Sequence, residues 1–378
     1  MTNPEELLAD PQALENADQG GTLRLVAMSG ARIRRASALR ELDPAAGEAL
    51  DAVAAEGRPR ALVVLGYGTG ATVAKLIAAV VGAGSSVPIL SVPGPALPGW
   101  IGPLDLVVVA STTGRSPEIV AALTEAGRRG CRVVMVAPPD SALGRLAGPS
   151  RAALLGMADE VAPVWARLWS VAIPALLAVE AAGILPPQSY EAAATAADDA
   201  AVRFRPSQET FVNPAKEIAL RCAEHPLAAW SAGPIATVAA GRLADQAALR
   251  AGRPVLHASL PDLGRGQLGL LDGSASAAAE ADLFYDPEVD GPRTGGASPA
   301  FVLLSEAGVE PRAAVVEAMV NERNLPLSTV VAEQSTTLER AAYLIALADF
   351  TACYLAIAVG AGPDQGSSIE EFRLRTAQ

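Results

Sequence analysis

The chain has 378 residues, 51% of them hydrophobic and only 4% aromatic, with a formal net charge of −12. That length exceeds one ordinary hydrophobic core and predicts two domains. The acidic balance argues against non-specific nucleic-acid binding, where Lys and Arg must neutralise phosphates, yet it allows a locally positive site for a small anion.

Two histidines, His225 and His257, leave little from which to build a His-based metal centre, so no metal or other cofactor is expected. Cys131, Cys222 and Cys353 are far apart with no CxxC, which predicts reduced thiols. The polar, acidic start MTNPEELLADPQ is unlike a signal peptide, and the expected compartment is the cytoplasm.

In chain order, residues 1–45 read as helices broken by turns. Asp10-Pro11 and Asp43-Pro44 each place an acid ahead of a first-turn proline. Residues 60–65 form a continuous apolar run, the mark of a strand buried on both faces. The run enters Gly66-Tyr67-Gly68-Thr69-Gly70, and a helix follows over 71–81. The pattern repeats with strands at 87–92 and 104–110, a helix over 117–127 and a strand over 132–136. Strands alternating with helices predict a parallel sheet covered on both faces.

Residues 165–185 contain Arg167, Pro174 and Glu180 and read as a core helix. Pro186-Pro187 marks a domain boundary. The organisation expected is a helical segment 1–45, a first α/β domain 46–186 and a second 187–378. In the second half, helices are expected over 190–201 and 213–224, then a strand at 227–233, a helix over 235–251 and a strand at 254–257. Residues 273–300 read as loop. Strands at 301–304 and 327–331 precede a long helix over 336–359. Residues 341–362 carry Asp349 as their only charge and read as a helix buried against a sheet rather than a membrane span.

One loop stands out. Ser111-Thr112-Thr113-Gly114-Arg115-Ser116 follows a strong strand and runs into a helix that begins at Pro117. In open α/β sheets, ligands bind outside the carboxyl ends of the strands. First-turn N–H groups and the helix dipole favour an anion there by about 0.3–1 kcal/mol, rising to about 2 when partly buried. Hydroxyls donate to phosphate oxygens, and Arg115 supplies a charge-assisted bond. Ser116 also suits a plain N-cap, but the contiguous hydroxyls exceed what capping needs. The Gly66–Gly70 turn, with Gly68 and Thr69, is a weaker candidate, equally compatible with simple turn chemistry and with phosphate or sugar binding. Neither a full GxGxxG nor GxxxxGK[ST] occurs there, so nucleotide binding gains little support.

Residues 107–118, reading VVVASTTGRSPE, resemble the phosphate loop of the sugar isomerase (SIS) domain, V-S-x-S-G-N-T-x-E. Other segments resemble, in consistent order, the bacterial and archaeal bifunctional phosphoglucose/phosphomannose isomerases. These are residues 87–100 with Pro93, Pro98 and Trp100, then Asn213-Pro214-Ala215-Lys216-Glu217, Leu260-Pro261-Asp262-Leu263, and Arg340 through Gly360. The resemblance implies two tandem SIS domains, each a mainly parallel doubly wound α/β sheet with helices on both faces. It implies a homodimer with the site near the subunit interface, a hexose phosphate ligand, and no nucleic-acid or membrane partner.

By the resemblance Ser111, Thr113 and Ser116 hold phosphate, with Gly68, Thr69, Gly114 and Arg115 around it. Arg167 sits where the family has an arginine that stabilises the enediolate-like intermediate, and Arg373 sits near a C-terminal family lysine. The proton chemistry does not carry over. The catalytic glutamate falls on Leu249, the ring-opening histidine on Arg265, the glutamate beyond it on Gln267, and a serine of the first glycine loop on Gly70. Leucine cannot act as a base and arginine stays protonated. General base catalysis is worth about 10²–10⁴ in rate, or roughly 3–5.5 kcal/mol of barrier. The expectation is a hexose-phosphate binder or regulator. The alternatives are an isomerase with relocated groups, for which His257 is the candidate base, and a dimeric scaffold with a vestigial pocket.

Overall fold

The computed structural model describes residues 3–92, 96–157, 162–273, 299–361 and 367–376. The loop expected over 273–300 lies almost wholly outside the described residues, as do Pro93 and the side chain of Arg373. Two compact units are present. The N-terminal unit is Met28–Ala196 with Thr337–Glu339. The C-terminal unit is Met1–Ala27 with Ala197–Thr336 and Arg340–Gln378. The residues before 46 are thus divided between the units, and the second boundary falls beyond Pro186-Pro187.

Helices α1 (Pro4–Ala9), α2 (Pro11–Ala17) and α3 (Thr22–Ala27) open the chain within the C-terminal unit. The N-terminal unit continues with α4 (Ser29–Ser37), α5 (Leu39–Leu42) and α6 (Pro44–Ala55). The two Asp-Pro pairs act as expected. Asp10 accepts from the Gln12 amide, Asp43 accepts from those of Ala45 and Ala46, and a proline follows each.

The first sheet comprises β1 (Leu62–Leu65), β2 (Ile89–Val92), β3 (Leu106–Ala110), β4 (Arg132–Ala137) and β5 (Ala153–Gly156) in the order β2-β1-β3-β4-β5, all parallel. Between the strands lie α7 (Thr69–Val81) and α8 (Pro117–Arg128), and α9 (Leu168–Ala181) follows β5. The apolar runs of β1 and β3 are buried at every position, as continuous hydrophobicity requires. Val63, Leu65, Val107, Val109 and Met135 join Ile119, Ala122 and Leu123 of α8 in one core. Alternate residues, among them Leu62, Val64 and Val108, are buried on the opposite face, and α7 and α9 pack on the strands there. Periodicity gave no sign of β5, a strand of only four residues, Ala-Leu-Leu-Gly, of which Leu155 alone is buried.

The unit boundary lies inside α10 (Tyr190–Arg203), and α11 (Pro214–Glu224) leads to the second sheet. Its strands are β6 (Leu227–Ala232), β7 (Val255–Ser259), β8 (Ala300–Glu306) and β9 (Leu327–Ala332), parallel in the order β7-β6-β8-β9. Helix α12 (Pro234–Ala251) follows β6, and α13 (Ala313–Asn321) precedes β9. On one face the Trp230 and Phe301 rings meet at a tilt, centroids 4.5 Å apart, in one core with Val316 and Val320 of α13. Helices α14 (Thr337–Ala358) and α15 (Ser367–Thr376) close the chain. By length and composition α14 could cross a membrane, but its apolar stretch is 100% buried within the fold, which makes it a core helix. Its Tyr343 and Phe350 rings pack on Phe204, and its Asp349 holds Arg242 of α12 in a two-armed buried ion pair of 2.6 and 2.9 Å.

Lys216 on α11 is fully buried. Its ammonium donates to three backbone carbonyls, Leu8 at 2.7 Å, Pro206 at 2.7 Å and Gln208 at 2.8 Å, and lies 5.7 Å from the Tyr354 ring. All three of its protons are thereby matched. One bond reaches α1, which ties the start of the chain into the C-terminal unit.

Candidate anion site at the carboxyl edge of the first sheet

The first sheet reverses its winding between β1 and β3, and the loops after these two strands leave the carboxyl edge side by side. A crevice at such a reversal is where doubly wound sheets hold ligands. The loop after β3 is built by its own hydroxyls. The Ser111 amide donates to Val136 of β4 at 2.9 Å, and its Oγ accepts from the Gly114 amide at 2.9 Å, folding the loop into a tight turn. Gly114 has φ +62°, and a Cβ there would lie 2.0 Å from Ser141 Oγ, so only glycine fits. Its carbonyl accepts from Leu143 at 3.0 Å, so the turn after β4 braces the loop.

Ser116 is the N-cap of α8, with Pro117 next. Its Oγ accepts from the Ile119 amide at 3.4 Å and donates to Glu118 at 2.5 Å. That hydroxyl bond, more than any other contact, holds the Glu118 carboxyl below its ordinary range. The two readings of Ser116 therefore coincide in one residue: it caps the helix, and it stands at the helix end an anion would approach. Arg115 is exposed and Thr113 half-buried.

The loop after β1 supplies Gly68 and Thr69 at the start of α7. Gly68 has φ +54°. Gly70 is buried, and a Cβ there would sit 2.2 Å from the Ala110 carbonyl oxygen at the end of β3. The missing side chain at Gly70 is therefore what lets the two loops approach. A serine at this position would collide with backbone.

Arg167 enters the same region from the turn before α9. Its Nε donates to the Ala162 carbonyl at 2.7 Å and its Nη1 to the Thr112 carbonyl at 3.3 Å, fastening it to the hydroxyl-rich loop. Thr113, Arg115 and Arg167 line one cleft of about 1490 Å³. Of the expected site residues, Thr113, Arg115 and Arg167 line this cleft, Ser111, Gly114 and Ser116 belong to the loop at its edge, and Gly68 and Thr69 belong to the neighbouring loop after β1. A smaller hollow of about 640 Å³ opens at the opposite, amino edge of the sheet. There Arg60 is committed to the buried Asp105, and Arg58 and Arg132 to backbone carbonyls.

The remaining candidates belong to the C-terminal unit. His257 lies in the middle of edge strand β7, opposite Ala229, with its side chain exposed and beside Gly241 of α12. Leu249 is half-buried inside α12, and Arg265 is exposed on a short 3-10 turn. Gln267 accepts from Trp230 Nε1 at 3.1 Å and donates to the His257 carbonyl at 3.1 Å, a bracing role in the core. Arg373 belongs to α15, but its side chain lies outside the described residues.

Sequence reading missed Glu306. The second sheet reverses its winding between β6 and β8, so the start of α12 is its counterpart of the first seat. There the Glu306 carboxylate, at the end of β8, accepts from the Ile235 amide at 2.8 Å and the Ala236 amide at 3.2 Å. Gly233, with φ +117°, gives it room: a Cβ would lie 2.2 Å from Oε1. Arg340 approaches the other oxygen at 4.0 Å. The second seat is filled by the chain's own anion.

Residues 211–375 match the family described as the bacterial phospho-glucose isomerase C-terminal SIS domain. No curated protein matches the chain. Among solved structures, tagatose-6-phosphate ketose/aldose isomerase from Escherichia coli is similar at TM-score 0.67 and 16% identity, covering 93% of this chain and 97% of that one. A hypothetical protein from Thermus thermophilus is similar at TM-score 0.64 and 14% identity, covering 99% and 97%. The C-terminal domain of glucosamine-fructose-6-phosphate aminotransferase from Francisella tularensis is similar at TM-score 0.57 and 14% identity, covering 91% and 97%. At such identities these structures establish the fold. Residues 211–375 are therefore similar to the bacterial phosphoglucose isomerase C-terminal SIS domain, and the chain as a whole shares the fold of these sugar-phosphate proteins.

Proposed function

We propose that this protein binds a hexose phosphate at the Ser111–Ser116 loop and does not turn it over at ordinary isomerase rates. The observation that carries the reading is the contrast between a built seat and absent proton chemistry. The loop keeps a cap hydroxyl, a bracing glycine and a helix start, and Arg167 is fastened to its backbone. The position expected for the catalytic glutamate is a leucine inside a helix, and that for the ring-opening histidine is an exposed arginine. His257 gives little support to a relocated base, because it sits mid-strand on an edge rather than at a carboxyl end.

A binder of this kind reports sugar-phosphate levels to a partner or pathway instead of consuming them. The expected assembly is a cytoplasmic homodimer, which sedimentation equilibrium tests directly. For the function itself, the purified chain is titrated calorimetrically with fructose 6-phosphate, glucose 6-phosphate and mannose 6-phosphate, and interconversion is followed in parallel. Binding that falls at least about tenfold in Arg115→Gln, the loss of one charge-assisted contact, supports the reading. Turnover at more than about 1 per second, within the usual enzyme range, refutes the non-catalytic part. Absence of binding refutes the seat.

A further inference from the structure

The cleft beside the Ser111 loop is far more basic than the protein that contains it. Among the described residues, five arginines and two aspartates line it, in a chain whose net charge is −12. Arg115 and Arg167 belong to the seat already described. Arg35 projects from α4 and Arg145 from the turn after β4, and both are exposed. Arg145 donates to the Asp140 carbonyl at 2.6 Å, a bond to a neutral group that leaves its charge uncompensated there. Of the aspartates, Asp43 is committed to capping α6. Holding several guanidinium groups around one cavity costs repulsion that an anion relieves.

A second observation points into the same cavity. Ser170 of α9 lines it and is 8% exposed, and its hydroxyl is buried with no hydrogen-bond partner among the described residues. An unmatched buried hydroxyl costs about 1–3 kcal/mol. Pro174, four residues on and also lining the cavity, has no N–H to give the Ser170 carbonyl. The Ser170 hydroxyl, which can both donate and accept, is thus a buried polar group at the cavity wall that a sugar hydroxyl would satisfy.

We propose that this cleft takes a phosphosugar carrying a second anionic group. One phosphate sits at the Ser111 loop, the carbon chain passes Ser170, and the second anion meets Arg35 and Arg145. The proposal rests on the hexose-phosphate reading for its first anchor. A single phosphate at the Ser111 loop leaves Arg35 and Arg145 with no ion pair among the described residues.

The test is calorimetric titration of the full chain, at fixed ionic strength, with inorganic phosphate, fructose 6-phosphate, fructose 1,6-bisphosphate and 6-phosphogluconate. At least one of the two doubly anionic probes should bind at least about tenfold more tightly than fructose 6-phosphate. The tighter of the two identifies the second group as phosphate or carboxylate. The double variant Arg35→Gln/Arg145→Gln should erase that advantage while leaving fructose 6-phosphate within about threefold. Ser170→Ala should weaken every sugar ligand and leave inorganic phosphate unchanged. If neither doubly anionic probe binds more tightly than fructose 6-phosphate, or if the double variant keeps the advantage, this inference is overturned and the hexose-phosphate reading stands. If fructose 6-phosphate fails to bind but a doubly anionic probe binds through Arg35 and Arg145, the earlier reading falls and the basic cleft stands. No binding by any probe overturns both.

Discussion

Glu306 offers a direct test of how an anion seat is built on this fold. Its carboxylate is 5% exposed and spans two first-turn amides of α12 at 2.8 and 3.2 Å. Glu306→Gln keeps an acceptor of the same shape and removes the charge. The loss is then mainly the helix-dipole attraction, about 0.3–2 kcal/mol. Glu306→Ala removes the acceptor as well and leaves two buried N–H groups unmatched. A net hydrogen bond to a charged group is worth about 1.5–3 kcal/mol, so a loss of about 2–4 kcal/mol is expected. Stability should fall in the order wild type, Gln, Ala in urea unfolding. Hydrogen exchange at residues 235 and 236 should quicken in the same order. The alanine variant also vacates the seat. Inorganic phosphate should then restore stability to that variant more than to wild type, by about 2.7 kcal/mol at a hundred times its dissociation constant. Comparison with wild type removes the general salting effect of the anion. An alanine variant within about 0.5 kcal/mol of wild type would refute the reasoning, since ordinary surface changes fall in that range. Equal phosphate stabilisation of both proteins would refute the claim of a vacated seat.

The other predictions concern backbone approach and a buried charge. Gly70→Ser restores a serine at the first glycine loop, but its Cβ would meet the Ala110 carbonyl oxygen at 2.2 Å. It should cost about 1–3 kcal/mol in thermal unfolding without strengthening sugar-phosphate binding; a neutral or tighter-binding variant would contradict the geometry. Lys216→Met should lose about 1–3 kcal/mol at pH 7, because the Leu8, Pro206 and Gln208 carbonyls lose their donor, and limited proteolysis within the first 27 residues should speed up. Burial lowers the Lys216 ammonium from 10.5 to about 8. Between these values the unfolded chain holds more protons, so wild-type stability should rise with pH relative to the non-titrating Met variant. A gap that is flat from pH 8 to 10.5 would show that burial does not perturb this lysine.

Much of the fold was legible in local pattern. Residues 62–65 and 106–110 declare themselves as buried strands because hydrophobicity is continuous over a few adjacent positions. Ser116-Pro117 and Asn213-Pro214 declare helix starts because capping is decided by neighbours in sequence. The hydroxyl-rich loop, its glycine and the helix behind it were therefore readable without any structure. The arginine run Arg32-Ile33-Arg34-Arg35 was equally visible, but nothing local says which strand edge it faces.

Tertiary structure decided everything that depends on distant segments meeting. Strand order set the Gly68 and Ser111 loops side by side, and only then does Gly70 become a contact rather than a turn residue. Packing of α4 and α9 gathered Arg35, Arg145 and Ser170 around one cleft, although more than a hundred positions separate Arg35 from Ser170. Parallel pairing of β6 with β8 brought Glu306 to amides some seventy residues earlier. Capping and strand burial are fixed within a turn or two of chain. A charge's partner is fixed by the path of the backbone through three dimensions, and no local pattern encodes that path.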